Sequence, residues 1–236
     1  MSSIRHVSFD LWMTLIRSHA SYKAKRADLF RSFFSLEAFA PEKVAAVVRE
    51  ADVLINNMNE ITGRNVHTFE MYLLCLHLLG IDIKSVHPDK LEEFYSLSEA
   101  LFFQYPPLPL YTDTTQLLAA LHRQGITTNL LSNTGFIQGR TLRKLMTQWG
   151  WDTLFAFQLY SDETGCSKPD VQMFNRMLDK AAMLHTALAP GAVWHLGDNQ
   201  IADVQGAQRL GISATLTDIT HNPLNKLLNE RCLCLT

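Results

Sequence analysis

The stretch Ile4-Arg5-His6-Val7-Ser8-Phe9-Asp10-Leu11-Trp12-Met13-Thr14-Leu15 decides how the rest of the chain is organised. Its apolar residues up to Phe9 are typical of a short buried strand, which ends at an aspartate flanked by large apolar side chains. A carboxylate in such surroundings needs a cation, a hydrogen-bond donor or a chemical task, because an unpaired buried charge is costly. Asp10 is therefore either a helix N-cap or a catalytic residue, and later stretches decide between the two.

The composition limits the classes of protein to which the chain can belong. With 236 residues and a net charge of −2, it has room for one large domain or two small ones. This charge argues against nucleic acid as the main partner, because binding a phosphate backbone needs a basic face. The four cysteines are too few and too irregular to predict a disulfide framework, and we interpret Cys232-Leu-Cys234 as tail composition.

The sequence contains no apolar run of membrane-spanning length and no signal-peptide pattern at its N-terminus. The richest apolar run, from Met71 to Leu79, is too short to span a bilayer, and Asp10 interrupts the first apolar run where a signal peptide would continue. We therefore expect a soluble cytoplasmic protein that contacts no membrane. We expect it to be a monomer or a homodimer that acts on a small molecule.

Residues 17–107 show only helical periodicity. Predicted helices cover 22–34, 41–61, 68–79 and 88–104, with Gly63, Gly80 and Pro106-Pro107 as their stop signals. This pattern predicts a compact bundle of about four helices that forms a separate lobe.

From Thr112 onward the pattern changes to alternating helices and strands. Strands are predicted at 126–131, 154–160, 192–196 and 212–216, and helices at 113–123, 136–149, 170–184 and 201–210, followed by a short amphipathic helix and tail at 218–236. Such alternation predicts a parallel sheet with helices on both faces, which the opening strand joins across the helical lobe. The predicted fold class is thus α/β, with a Rossmann-like parallel sheet core at 1–16 and 108–236 and an all-helical unit at 17–107.

Polar residues follow each predicted strand of this sheet. They are Asp10, the pair Ser132-Asn133, Lys168, and the group Asp198, Asn199 and Asp203. Each has an ordinary explanation, as a helix cap, a solvated charge or a turn residue. Because ligands bind at the carboxyl ends of parallel strands, their coincidence at successive strand ends favours a phosphate and magnesium site.

In these residues the chain resembles the haloacid dehalogenase-like (HAD) hydrolase superfamily. The resemblance runs through the whole chain in order: Phe9-Asp10-Leu11-Trp12-Met13-Thr14-Leu15, Leu131-Ser132-Asn133, Ser167-Lys168-Pro169-Asp170, and Leu196-Gly197-Asp198-Asn199 with Asp203-Val204-Gln205-Gly206-Ala207. The helical lobe stands where the family has its cap domain, between the first and second motifs. Single motifs of this set are weak signals, but their order and spacing together are specific.

The resemblance implies a role for each residue. Asp10 would be the nucleophile that forms an aspartyl-phosphate, and Lys168 would neutralise charge on the phosphate and on Asp10. Ser132 and Asn133 would bind the phosphate with Lys168, while Thr14 would orient the loop after Asp10 and support the phosphate pocket. The implied cofactor is Mg²⁺, held by Asp10, the backbone carbonyl of Trp12, Asp198 and Asp203.

Trp12 departs from the phosphatases of the family. They usually carry a second aspartate at this position, which protonates the leaving group and activates water, whereas an indole cannot exchange protons near neutral pH. Haloacid dehalogenases also lack that aspartate and commonly have a tyrosine there. The acidic pair Asp198 and Asp203 instead favours a phosphatase, because these residues could bind a metal and a dehalogenase needs none.

Three functions therefore stay open. We favour a Mg²⁺-dependent phosphatase of a small phosphorylated metabolite, and the alternatives are a 2-haloacid dehalogenase and a non-catalytic binding protein. Arg17 is a candidate clamp for a halide or carboxylate, or else a solvated side chain. His195, inside a predicted strand, is interpreted as a core residue. The cap would choose the substrate, and its polar candidates are Lys23, Arg26 and Arg64.

Overall fold

A five-stranded parallel sheet forms the centre of the computed structural model, which describes residues 3–232. Cys234 and the end of the predicted tail thus lie outside the described residues. The strands in chain order are β1 (His6–Phe9), β2 (Ile16–Arg17), β3 (Leu108–Pro109), β4 (Thr127–Ser132), β5 (Phe157–Tyr160), β6 (Val193–Gly197) and β7 (Ser213–Leu216). The large sheet has the order β5-β4-β1-β6-β7, and each of its neighbouring pairs is parallel. The predicted α/β class with a Rossmann-like sheet is confirmed.

Ten α-helices surround the strands in the described residues. They are α1 (Tyr22–Phe33), α2 (Pro41–Thr62), α3 (Thr68–Leu78), α4 (Pro88–Gln104), α5 (Thr114–Arg123), α6 (Gly139–Gln148), α7 (Ser161–Thr164), α8 (Val171–Ala182), α9 (Gly206–Gln208) and α10 (Leu224–Arg231). Within residues 3–232, none of these helices combines the length and the hydropathy that a membrane span requires.

Strand β1 is central because all four of its residues are buried between two neighbours. Phe9 lies beside Leu130 of β4 on one side and Leu196 of β6 on the other. The chain moves outward from β1 to β4 and β5, and then returns to add β6 and β7 on the opposite side. The carboxyl end of β1 is therefore the point where the strand order reverses, which is where open α/β sheets bind ligands.

The helices α1 to α4 share an apolar core of their own. It includes Phe30, Val44, Tyr72 and Phe94, and it receives Phe136 from the loop after β4. At the root of this helical unit the short strands β2 and β3 pair antiparallel, so that both chain crossings lie side by side. The division at 17 and 107 stays a prediction, since the two units also share contacts around Phe136.

Several predicted elements differ from the observed ones by one or two residues at an end, and three show larger differences. The helix predicted from residue 136 begins at Gly139, because the Asp162 carboxylate accepts a hydrogen bond from the Gly139 amide at 3.0 Å and caps the helix there. The strand predicted from residue 154 begins at Phe157, since Asp152–Leu154 forms a 3₁₀ turn. The helix predicted from residue 201 starts as a π-helical segment, Gln200–Gln205, which carries Asp203.

Candidate active site

Polar residues from the ends of β1, β4 and β6 line one cavity of about 420 Å³. The floor consists of Asp10, Asn133, Lys168, Asp198 and Asp203, and the opposite wall comes from helices α1 and α2. The sheet brings Asp10, Asn133 and Asp198 together because parallel strands end at the same edge, and the segments after α7 and β6 add Lys168 and Asp203. The helical unit thus lies over the edge that carries Asp10.

Lys168 is the buried cation of this floor. Its Nζ donates to Oδ1 of Asp10 at 2.7 Å and to Oδ1 of Asp203 at 2.6 Å. Burial alone would lower the pKa of Lys168, but the two carboxylates raise it to about 12. Lys168 is therefore charged throughout the physiological pH range. Its burial excludes the alternative interpretation that it is a solvated surface lysine.

Asp10 keeps one carboxylate oxygen free of hydrogen bonds within residues 3–232, because only Oδ1 is bonded to Lys168. Burial raises the pKa of Asp10 to about 6, with Lys168 opposing this shift and Asp203 and Asp198 adding to it. Above that pH Asp10 presents an unprotonated oxygen in the cavity. A buried carboxylate with one free oxygen beside a fixed ammonium is suited to nucleophilic attack.

Asp203 is held from three directions. Its Oδ2 accepts from the Asn199 amide at 3.0 Å, and its Oδ1 accepts from His195 Nε2 at 3.1 Å as well as from Lys168. Burial would raise the pKa of Asp203, but Lys168 and His195 hold it well below the usual range. Asp203 also packs on Gly197, where any Cβ would overlap its carboxylate. Glycine at 197 is thus required for this close approach.

His195 is a core residue, as the sequence predicts, but it also positions Asp203. The side chain is fully buried, and its Nδ1 lies 3.0 Å from the Ser8 hydroxyl. Because a carboxylate only accepts, Nε2 must be the donor to Asp203. The sequence does not signal this role, since the histidine lies eight residues from its partner in an apolar strand.

Asn133 positions Lys168 through its side-chain amide. Its Nδ2 donates to the Lys168 carbonyl at 2.9 Å, and its Oδ1 accepts from the Lys168 amide at 2.8 Å. The adjoining Lys168–Pro169 peptide bond is cis. Asn133 lines the cavity as well, so it can fix the lysine and face a ligand.

Two predicted site residues lie behind the cavity wall. Ser132 is fully buried, and its hydroxyl donates to the Asn133 carbonyl at 3.1 Å. Thr14 is also buried, and its hydroxyl has no hydrogen-bond partner within residues 3–232. Neither belongs to the residues that line the cavity. Phosphate binding by Ser132 stays a prediction that requires its hydroxyl to turn.

The carboxylates of the floor fit a hard divalent cation. One oxygen each of Asp10, Asp198 and Asp203 lies within 4.8 Å of the others. Burial, together with Asp203, raises the pKa of Asp198. Among residues 3–232, Lys168 is the one ammonium paired with these acids, and it contacts Asp10 and Asp203. Oxygen donors with an excess of negative charge are the donor set that Mg²⁺ prefers. Trp12 lines the same cavity, and metal binding by its carbonyl stays a prediction.

The helical unit contributes residues to the cavity that the sequence only partly indicated. Of the predicted candidates, Lys23 and Arg26 on α1 line it, whereas Arg17 and Arg64 are exposed and do not. Sequence reasoning missed a polar row on α2, namely Asp52, Asn56 and Glu60. Their spacing of four residues is the signal that could have found them, because such residues share one face of a helix.

A family model supports the hydrolase interpretation. The model for haloacid dehalogenase-like hydrolases matches residues 4–211. Among characterised relatives, a phosphoserine phosphatase of Thermus thermophilus is 32% identical over 127 residues, which are 54% of this chain and 48% of that protein. The haloacid dehalogenase-like hydrolase domain-containing protein 3 of Mus musculus is 34% identical over 33% of this chain and 29% of its own length. The matches thus span about half or less of these relatives.

Solved structures share the fold along nearly the whole chain. A HAD-hydrolase of Bacillus subtilis bound to magnesium has a TM-score of 0.70 at 16% identity, covering 99% of this chain and 100% of that chain. A HAD phosphatase of Thermococcus onnurineus gives 0.66 at 17% identity, covering 96% and 97%. A 2-haloacid dehalogenase of Pseudomonas syringae gives 0.62 at 21% identity, covering 94% and 90%. Likeness at these identities establishes the fold and leaves the reaction open.

Proposed function

The chain belongs to the haloacid dehalogenase-like hydrolase family, and on that premise we propose that it is a Mg²⁺-dependent phosphatase. Its substrate would be a small phosphorylated metabolite, and the reaction would pass through an aspartyl-phosphate on Asp10. The observation that carries this proposal is the cluster of Asp10, Asp198 and Asp203, whose oxygens converge within 4.8 Å.

This cluster favours phosphate over halide chemistry. Displacing a halide needs a nucleophile, a halide site and one base to activate the water that cleaves the ester, so it does not require two further acids beside the nucleophile. Attack by a carboxylate on a phosphate brings two anions together, and Mg²⁺ bound by these acids would supply the charge neutralisation that this encounter needs. The phosphoserine phosphatase relative is consistent with this preference.

Each residue of the site has a separate role in the proposed reaction. The free oxygen of Asp10 attacks phosphorus, forming a new P–O bond while the bond to the leaving oxygen breaks and its electron pair stays on that oxygen. Lys168, 2.7 Å from Asp10, directs its ammonium toward the charge that grows on the phosphoryl oxygens. Asn133 keeps Lys168 in place, and His195 does the same for Asp203. Water then cleaves the aspartyl-phosphate.

The leaving oxygen has no acid at position 12. Trp12 lines the cavity but cannot donate a proton, so the leaving group must depart as an anion or take its proton from water. The same residue supports the second candidate, a 2-haloacid dehalogenase acting through Asp10, because that reaction needs no proton for its leaving halide.

The test is a substrate panel with two readouts. Phosphate release from phosphorylated metabolites and halide release from 2-halo acids are measured in Mg²⁺ and in EDTA. We expect phosphate release only with Mg²⁺, and its loss in Asp10→Asn and Asp198→Ala, while the exposed control Asp179→Asn keeps it. Circular dichroism checks that each variant is folded.

Other outcomes would decide against the proposal. Metal-independent halide release that Asp10→Asn abolishes would assign the dehalogenase reaction. Phosphate binding without any turnover would instead favour a non-catalytic binding protein.

A further inference from the structure

Arg26 is the cation on the upper wall of the cavity, and the proposed phosphate chemistry does not use it. It lies on α1, sixteen residues after Asp10, with only 7% of its surface exposed. It lines the same cavity as Asp10 and Lys168. A buried guanidinium is rare, because its desolvation is costly unless partners compensate for it.

Aromatic rings compensate for part of this cost. The guanidinium carbon is 4.1 Å from the ring centroid of Phe136 and 5.7 Å from that of Tyr22. Phe136 belongs to the loop that follows β4, directly after Asn133 to Gly135 at the cavity floor. Cation–π contacts thus hold Arg26 against the loop that borders the phosphate site.

Part of the hydrogen-bonding capacity of Arg26 is left unused. Its Nε is buried and has no hydrogen-bond partner within residues 3–232. In the same part of the chain, no carboxylate lies within 4 Å of the guanidinium. Leaving a buried charged donor unpaired is destabilising. A residue retained purely for packing would not need this charge.

The cavity has room for a ligand that reaches from Asp10 to Arg26. Its volume of about 420 Å³ is in the range of metabolite pockets and exceeds what a phosphoryl group alone would fill. Lys168 is already paired with Asp10 and Asp203, so among residues 3–232 Arg26 is the buried cation of the cavity that has no carboxylate partner. The planar fork of arginine suits a carboxylate or a phosphate.

We propose that Arg26 determines specificity by binding a second anionic group on the leaving group of the substrate. This inference rests on the proposed phosphatase function and narrows its substrate class to phosphate esters with a carboxylate or a further phosphate. The polar row of Asp52, Asn56 and Glu60 on α2 faces the same space and would contact the uncharged or cationic parts of the leaving group.

The experiment compares esters that differ in one charge. The probes are phosphoglycolate and phosphoserine for a carboxylate, glycerol bisphosphate for a second phosphate, and hydroxyethyl phosphate as the neutral counterpart. The variants are Arg26→Met, Arg26→Lys, and Arg49→Met as a control, since Arg49 is exposed on α2 and does not line the cavity.

We expect kcat/KM of the natural protein to favour one of the anionic classes over the neutral ester by roughly 100-fold, the value of a charge-assisted contact. Arg26→Met should abolish this preference, mainly through KM. Arg26→Lys should restore part of it, because an ammonium keeps the charge and loses the fork. Arg49→Met should keep the full preference.

Thermal unfolding separates this role from a structural one. Replacing an unpaired buried charge by an apolar side chain should raise the melting temperature of Arg26→Met, because the desolvation cost disappears. A lower melting temperature with equal losses for all esters would overturn the proposal. So would a natural protein that hydrolyses charged and neutral esters equally well.

A binding measurement keeps the inference testable if no ester is hydrolysed. Calorimetry with phosphoglycolate and with inorganic phosphate would then be done on the natural protein and on Arg26→Met. If Arg26→Met binds phosphoglycolate more weakly but inorganic phosphate equally well, the role of Arg26 is supported even though the phosphatase proposal has failed. Equal binding by both proteins would reject it.

Discussion

Lys168 donates a hydrogen bond from Nζ to Oδ1 of Asp10 over 2.7 Å, although 158 residues separate them in the sequence. Both side chains are buried, and the same ammonium also contacts Asp203. One cation therefore balances two buried carboxylates. Stability and chemistry depend on the same three groups.

Lys168→Met should lower the free energy of unfolding by about 3–5 kcal/mol, because it leaves Asp10 and Asp203 buried without their counter-charge. Urea unfolding measures this loss, and Lys43→Met on the exposed side of α2 is the control. Mg²⁺ should raise the melting temperature of Lys168→Met, since a cation bound at the carboxylates stabilises the folded state. A loss below about 1 kcal/mol would contradict the observed charge balance.

Trp12→Asp should change how the rate depends on the leaving group. In the natural protein the rate should fall steeply from aryl to alkyl phosphates, because alkyl oxygens need a proton as they leave. The aspartate should raise alkyl-phosphate turnover by on the order of 10², the usual contribution of a general acid. Trp12→Asn is the matched control, because it removes the indole without supplying an acid.

Equal rates for aryl and alkyl esters in the natural protein would mean that another residue supplies the proton. Asp52 and Glu60 of α2 line the cavity and are the carboxyls to replace next.

Gly63→Ala should loosen the contact between the helical unit and the loop that carries Lys168. Gly63 has a φ of +69°, its carbonyl accepts from the Ser167 amide at 2.8 Å, and an added Cβ would overlap Asp170. Gly80→Ala is the control, since Gly80 has a φ of +77° and open space around it. The control should cost about 1 kcal/mol and Gly63→Ala about 1–3 kcal/mol more. Equal costs would show that the loop moves aside freely.

His6→Gln should reduce the sensitivity of the fold to acid. Burial lowers the pKa of His6 to about 4, with a hydrogen bond from its ring to Asn129 opposing the shift. The unfolded chain, with a pKa near 6.5, binds a proton that the folded chain resists, so stability is present above pH 6.5 and falls toward pH 4. Between pH 7 and pH 5 this one group should cost about 2 kcal/mol.

Urea unfolding at the two pH values checks this. The loss between them should be smaller in His6→Gln than in the natural protein. His77→Gln, at an exposed position on α3, should leave the loss unchanged. An identical acid loss in all three proteins would place the sensitivity elsewhere.

Much of the candidate site is predictable from the sequence because chain order and strand ends are local properties. The apolar run before Asp10 and the polar residues after β4 and β6 identify the functional edge of the sheet. The periodicity of 17–107 identifies the helices of the insert, and the α4 bounds, Pro88–Gln104, agree with the prediction. Each of these signals depends on residues within a few positions of one another.

Other features depend on packing between distant segments. The periodicity of α1 does not separate Lys23 from Arg26, but only Arg26 packs on Phe136, which comes from the loop after β4. In the same way, the sequence does not show which of the two residues at the end of β4 reaches the cavity. The Ser132 hydroxyl bonds to the Asn133 carbonyl behind the cavity wall, whereas the Asn133 side chain lines the cavity and bonds to Lys168.

The α/β class, the helical insert, and the acids and the lysine of the site are all predictable from local sequence patterns. The packing of distant segments places β1 between β4 and β6, brings His195 to Asp203, and buries Arg26 Nε without a hydrogen-bond partner among residues 3–232. This difference arises because the two kinds of interaction act over different distances along the chain. Hydrophobic periodicity and caps act over one or two turns, whereas charge pairing and desolvation depend on which distant segments pack together.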